Sequence, residues 1–181
     1  MESQFKELPI NEDIIERIEA FYIVDNGSIG CAKSHILTLN EIKKRGYQNC
    51  LILEDDFEIL SEDFIGSINK VFKSNLDWDI VMVSGNVIKY EDINSEDFIK
   101  INEAQTTSGY LINLNFVDKL IENFEESISL LEDGVHKDIA AIDQNWKKIQ
   151  SISKWFSFNP MLGKQRDDYS DIERKNVSYK C

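Results

Sequence analysis

The chain has 181 residues, 42% of them apolar and 10% aromatic, which is enough for one domain with its own core and excludes a disordered segment. Its 20 basic and 33 acidic residues give a formal charge of −13, a surface that repels nucleic-acid phosphates and anionic lipid, so neither is expected as a partner. No apolar run approaches the roughly 18 residues needed to span a bilayer, and the opening MESQFKELPINED has no signal-type apolar core; a cytoplasmic location is expected. The three cysteines, Cys31, Cys50 and Cys181, form no CxxC pair and read as reduced, idle thiols.

In chain order, Asn11 is placed to cap a short helix with Ile14, Ile15, Ile18 and Phe21 on one face. Asp25-Asn26-Gly27 reads as a turn. A longer helix follows from Ser28 or Ile29 to Arg45, with Lys43, Lys44 and Arg45 in its last turn and Gly46 just beyond. The apolar run Cys50–Leu53 is too short for a helix and predicts a strand buried on both faces. Ser61 is read as the cap of a helix carrying Phe64, Ile65, Ile68, Val71 and Phe72 inward, and Trp78–Val83 as a second buried strand. Strand, helix, strand in this order predicts an α/β fold built on a mostly parallel sheet. Farther on, Phe98–Ile101 and Tyr110–Leu114 are candidate strands, Asn115 a helix cap, 138–150 a helix and Trp155–Phe158 a last strand. The whole of 1–181 is expected to form one domain, with a loop-like tail from Gln165.

The most informative local feature is Glu54-Asp55-Asp56, three acids directly after an apolar strand. In open parallel sheets, ligands bind beyond the carboxyl ends of strands. Carboxylates in a row there suit a hard divalent cation with oxygen ligands. Two unit charges about 4 Å apart interact by roughly 4 kcal/mol at an effective dielectric of 20, so a diphosphate facing these acids needs a cation between them. Taken alone, the triplet is either such a site or a solvated strand end.

The triplet has company. Gly27-Ser28-Ile29-Gly30-Cys31-Ala32-Lys33-Ser34-His35 precedes it, Leu76–Val81 and Gln105–Ile112 follow, and Ile142-Asp143-Gln144-Asn145-Trp146 comes late. In order and spacing these segments resemble glycosyltransferase family 25, the family of lipopolysaccharide glycosyltransferases and collagen galactosyltransferases. The tail Leu162–Arg166 with Tyr169–Ile172 is similar to members from giant DNA viruses, which would place the protein in a host cytoplasm. The resemblance implies a GT-A-type, Rossmann-like fold, a nucleotide-sugar donor of the UDP-hexose kind, a glycan or protein acceptor, a manganese or magnesium ion, and inversion at the anomeric carbon. It implies that Asp56 and Asp55 bind the metal and that Glu54 and Asp55 help to hold the donor. Asp143 becomes the catalytic acid residue, near the sugar or acceptor as base or orienter. Gly30, Ser34, His35, Thr107, Ser108, Lys164, Gln165 and Arg166 become donor-pocket residues.

Simpler roles stand beside these. His35 suits a satisfied core histidine, Ser34 a bond within its helix, Gly30 a plain turn, Thr107 and Ser108 a polar loop, and Lys164 to Arg166 solvated loop charges. Trp146 and Trp155 read as core. Family members usually open with a strand and a basic loop that Met1–Leu8 does not contain, so the first strand is expected to be missing. That motivates an alternative in which the fold persists as an inactive binding module. A metal-dependent phosphohydrolase using the same acids is a further rival, with only His35 and His136 to supply histidine ligands.

Overall fold

A computed structural model describes residues 2–6, 8–166, 168–170 and 175–177. A short helix α1 (Glu2–Phe5) and a single 3-10 turn at Glu12–Ile14 lead into an extended stretch, and then into α2 (Gly27–Arg45). Helix α2 ends at Arg45 as the sequence predicts and starts at Gly27, one or two residues earlier than expected. The Asn26 side chain accepts the Ile29 N–H at 3.2 Å, and Gly46 closes the helix in the left-handed conformation at φ 68°.

The helix expected after Asn11 does not form beyond that single turn. Residues 15–23 lie along α2 instead, because α2 offers a seat for extended backbone: Ser34 Oγ accepts the Phe21 N–H at 2.8 Å and donates to the Gly30 carbonyl. Gly30 permits this approach, since a Cβ there would stand 2.5 Å from the Phe21 carbonyl oxygen. Ile14, Ile15 and Phe21, expected to face a core, are exposed.

Strand β1 (Asn49–Leu53) is followed by a short strand β2 (Phe57–Ile59) and by α3 (Phe64–Lys73), which is capped by Asp63 rather than Ser61. Next come β3 (Ile80–Asp92) and β4 (Phe98–Asn113), both far longer than the sequence suggests, joined in one antiparallel hairpin. Asn113, not Asn115, caps α4 (Leu114–Glu132). The segment expected as one helix over 138–150 is broken into α5 (Lys137–Ala140), α6 (Ile142–Asn145) and α7 (Lys147–Gln150). Strand β5 (Trp155–Phe158) appears where predicted, and β6 (Gly163–Gln165) pairs with β2. In the tail, β7 (Asp168–Ser170) and β8 (Lys175–Val177) form a small antiparallel pair where a loop was expected.

The central sheet has the order β1-β4-β3-β5, with helices on both faces, so the mixed α/β class holds. The expectation of mostly parallel pairing does not. Strands β1, β3 and β5 run in one direction, but β4 is inserted against them and leaves β3–β5 as the parallel pair. The reason is the long hairpin, which returns β4 between β1 and β3.

Side chains alternate across the sheet as strand geometry requires. Ile52, Ile80, Met82, Tyr110, Ile112 and Trp155 pack under α2, α4 and α6. Val81, Val83, Leu111, Phe156 and Phe158 pack on the other face against α3. Burial on both faces explains why the start of β3 reads as an unbroken apolar run, whereas β1, expected to be buried on both faces, is an edge strand in which Ile52 alone is buried and Cys50, Leu51 and Leu53 are half-buried. Trp146 and Trp155 are fully buried, with ring centroids 4.9 Å apart, so both belong to the core.

Candidate active site

Irregular pairing between β3 and β4 builds the site. Ser84 pairs with Gly109 and Asn86 with Gln105, so β4 places three residues, Thr106, Thr107 and Ser108, opposite Gly85 alone. Thr106 is β-branched yet takes φ 78°, a left-handed conformation that such a residue rarely adopts. A bulge re-aims side chains, and here it sends three groups in three directions. The Thr106 N–H donates to Asp143 Oδ2 at 3.2 Å. The Thr107 hydroxyl donates to Glu54 Oε1 at 2.6 Å. Ser108 turns into the sheet, where its hydroxyl meets that of Ser84 at 2.7 Å, both fully buried.

Glu54 leaves the end of β1, its N–H held by the Ser108 carbonyl at 3.0 Å. His35, from α2, is 6% exposed and reaches Glu54 Oε1 with Nε2 at 3.1 Å. Its Nδ1 lies 2.9 Å from the Tyr110 hydroxyl. A neutral imidazole that donates from Nε2 to the carboxylate therefore accepts at Nδ1 from Tyr110. Burial pushes the Glu54 carboxyl up, but its contacts with His35 and the Thr107 hydroxyl outweigh this and leave the group below its ordinary value. His35 is thus both a buried, satisfied histidine and a support for the first acid of the triplet.

Asp55 is exposed, and its carbonyl accepts from Arg166 Nη2 at 3.3 Å. Asp56 is held by the other short sheet. Its carbonyl accepts the Arg166 N–H at 2.8 Å, and its Oδ2 accepts from Gln165 Nε2 at 2.7 Å. Its second oxygen, Oδ1, is buried with no partner. Burial raises the Asp56 carboxyl to about 6, the Gln165 bond opposes this, and the charges of Glu54 and Asp55 add to it. Arg166 Nε is likewise buried without a partner. Lys164 stands apart. It alternates to the opposite face from Gln165 and pairs with Glu58 at 3.3 Å, so it is not brought to the acids.

Asp143 sits in the first turn of α6. Beyond Thr106, Gln144 Nε2 donates to its Oδ2 at 3.1 Å, and Lys147 Nζ holds Gln144 Oε1 at 2.7 Å. Burial raises the Asp143 carboxyl above its ordinary value, partly offset by these contacts and reinforced by the Glu54 charge. The thiol of Cys31 feels the charges of Glu54, Asp143 and Asp56 together, which brings the two distant acidic motifs to one place.

Of the residues singled out from sequence, then, the fold gathers His35, Glu54, Asp55, Asp56, Thr107, Asp143, Gln165 and Arg166. Gly30 and Ser34 seat the 15–23 stretch on α2, and Ser108 is spent inside the sheet. Tyr110 and Cys31 join the cluster without having been assigned a role. The spacing of Cys31 and His35, four apart on a helix, was the available signal, since it puts both on one face.

Asp56 also tests whether a cation fits. A buried carboxylate oxygen without a donor, among further acids, is chemically suited to a cation, so the residues present fit one. Fold and site define a mixed α/β fold with a carboxylate cluster at the end of its first sheet strand, β1. Residues 3–144 match glycosyltransferase family 25 (LPS biosynthesis protein), and the chain belongs to that family. It is 29% identical over 103 residues to procollagen galactosyltransferase 1 of Danio rerio, a match that covers 52% of this chain but 17% of that protein. Among solved structures it is similar to a protein titled mannose-1-phosphate geranyltransferase from Thermus thermophilus, at 10% identity and a TM-score of 0.44 over 78% of this chain and 51% of that one. It is similar to an apo-UDP-glucose pyrophosphorylase at the same identity and TM-score, over 76% and 53%. Among the described residues no helix is long and apolar enough to cross a membrane.

Proposed function

We propose that the chain transfers a hexose from a nucleotide-sugar, of the UDP-hexose type, to an acceptor hydroxyl on a glycan or protein. Family membership supports sugar transfer, and the observation that carries the donor reading is the orphaned Oδ1 of Asp56 in its cluster of acids. Asp56 and Asp55 are the residues that would hold Mn2+ or Mg2+. A divalent ion there supplies charge compensation for the diphosphate as it departs. Glu54, fixed by His35 and Thr107, holds the rim of the site rigid. Arg166, with a buried Nε to spare, is the cationic group facing the same place.

Asp143 is the proposed base. Its carboxyl is raised, which brings its proton affinity nearer to neutral pH. In the step itself, the acceptor O–H gives its proton to Asp143 while its oxygen forms a bond to the anomeric carbon. The bond from that carbon to the diphosphate oxygen breaks, and the electron pair leaves with the nucleoside diphosphate. Direct displacement of this kind inverts the anomeric centre.

The test is thermal stability with UDP, with and without Mn2+, for the wild type and Asp56→Ala. A ligand at about 100 times its dissociation constant adds roughly 2.7 kcal/mol of stability. The expected result is a manganese-dependent rise that Asp56→Ala abolishes. No rise at millimolar UDP would overturn the donor reading.

A further inference from the structure

We propose that Cys31, His35 and Glu54 form a binding site for a thiophilic divalent cation of the zinc type, distinct in its chemistry from the all-oxygen pair Asp55 and Asp56. Cys31 and His35 share one face of α2, and Glu54 meets them from the end of β1. A sulfur, a ring nitrogen and a carboxylate oxygen from these three side chains lie within 4.8 Å of one another. In a tetrahedral zinc site, with bonds of about 2.0–2.3 Å, neighbouring ligand atoms stand roughly 3.5 Å apart. A contraction of about an ångström therefore closes the site.

Ligand type sets the preference. A thiolate and an imidazole select zinc or cobalt over magnesium or manganese, whereas Asp55 and Asp56 offer oxygen alone. The outer contacts are already in place. Thr107 holds the Glu54 carboxylate, and Tyr110 stands 2.9 Å from the His35 Nδ1. Such second contacts orient metal-binding side chains and strengthen them as ligands. Asp56, from the same turn as Glu54, and Asp143, from α6, add negative charge. Burial, with the neighbouring carboxylates, pushes the Cys31 thiol up, so the cation must displace its proton on binding.

The proton balance is simple. The Cys31 thiol loses its proton to solvent, and the His35 proton moves from Nε2 to Nδ1. The Tyr110 hydroxyl then turns from donor to acceptor. Glu54 exchanges its His35 hydrogen bond for the cation. Three protein ligands leave the fourth position to water. Since Glu54 also frames the proposed donor site, zinc is expected to antagonise manganese-dependent UDP binding; that consequence rests on the donor reading, while cation binding does not.

Cobalt(II) is the probe, because a thiolate ligand gives it a sulfur-to-metal charge-transfer band in the near ultraviolet. The full chain titrated with Co2+ is expected to show that band, and zinc to bleach it. The band should persist in a Cys50→Ser, Cys181→Ser double variant and vanish in Cys31→Ser and, as a second check, Cys31→Ala. Tyr110→Phe should weaken cobalt affinity by roughly 10–100-fold while keeping the band at saturation. Asp56→Ala should leave the band in place even though it abolishes the UDP response, which separates the two readings. Absence of the band in the wild type, or its survival in Cys31→Ser, would overturn the proposal.

Discussion

Raising the pH from 5 to 7 without added metal should destabilise this protein, and Asp56 is the reason. Its carboxyl is raised from 3.8 to about 6 in the folded chain, chiefly by burial. Between those values the native state keeps a proton that the unfolded chain has released. Stability from this group is therefore fully present below about pH 4 and is lost as pH rises through about 6. A shift of about two units corresponds to roughly 3 kcal/mol at most, at 1.36 kcal/mol per unit. Less than half of that falls between pH 5 and 7, because the unfolded group is already ionised at pH 5 and the folded one partly so; screening by solvent reduces it further, to roughly 0.5–1 kcal/mol. For a chain of this length that is a fall in Tm of about 1–4 °C. The Asp143 carboxyl, also raised, acts with the same sign. Glu54 is lowered, so its contribution is lost only as pH falls below the ordinary carboxylate range. The assay is thermal melting in a chelator at pH 5, 6 and 7, for the wild type and Asp56→Asn. The wild type should melt lower at each step, and Asp56→Asn should show a clearly smaller slope. Manganese at pH 7 should restore much of the loss in the wild type alone. Equal slopes in the two proteins would refute the assignment of the penalty to Asp56.

Two further expectations concern the other elements. Asp143→Asn should lower transfer on the order of 10²–10⁴-fold while leaving the manganese-dependent UDP response intact, measured by product formation beside thermal shift; full activity would remove Asp143 from the role of base. Gly30→Ala puts a Cβ 2.5 Å from the Phe21 carbonyl oxygen, so the extended stretch must lift from α2. The expected cost is about 1–3 kcal/mol, with faster limited proteolysis between residues 15 and 23 than in the wild type.

What could be read without the fold follows from how local each signal is. Helix α2 was legible, to within a residue or two at its start, because the turn before it, the basic last turn and Gly46 act within a few residues of themselves. Strand β5 was legible because it is buried throughout, and β1 because its short apolar run, half-buried at the sheet edge, is too brief for a helix. The hairpin β3–β4 was not. Beyond Ser84, strand β3 runs through Asn86, Val87, Ile88, Lys89, Tyr90, Glu91 and Asp92, mostly exposed, and its β-formers do not alternate cleanly with polar residues, so no apolar face marks the strand. Its extension depends on cross-strand partners in β4, some of them ion pairs such as Lys100 with Glu91 at 3.1 Å. The helix expected after Asn11 failed for the opposite reason. Its periodic apolar residues met no apolar surface, and the hydroxyl of Ser34 took the backbone instead.

The sequence by itself determined the chemistry available: an acidic triplet ending an apolar strand, a late Asp143, a Cys31–His35 pair on one helix face, and membership of family 25. Only the tertiary structure decided which of those groups meet. That decision rests on pairings across long stretches of chain, which no local pattern encodes. The bulge at Thr106–Ser108 ties Asp143 and Glu54 to one strand, and the register of β2 with β6 turns Gln165 toward Asp56 while Lys164 faces Glu58. Shifting a strand by one residue exchanges its two faces, so a single step in that register separates a residue at the acids from one in a surface ion pair.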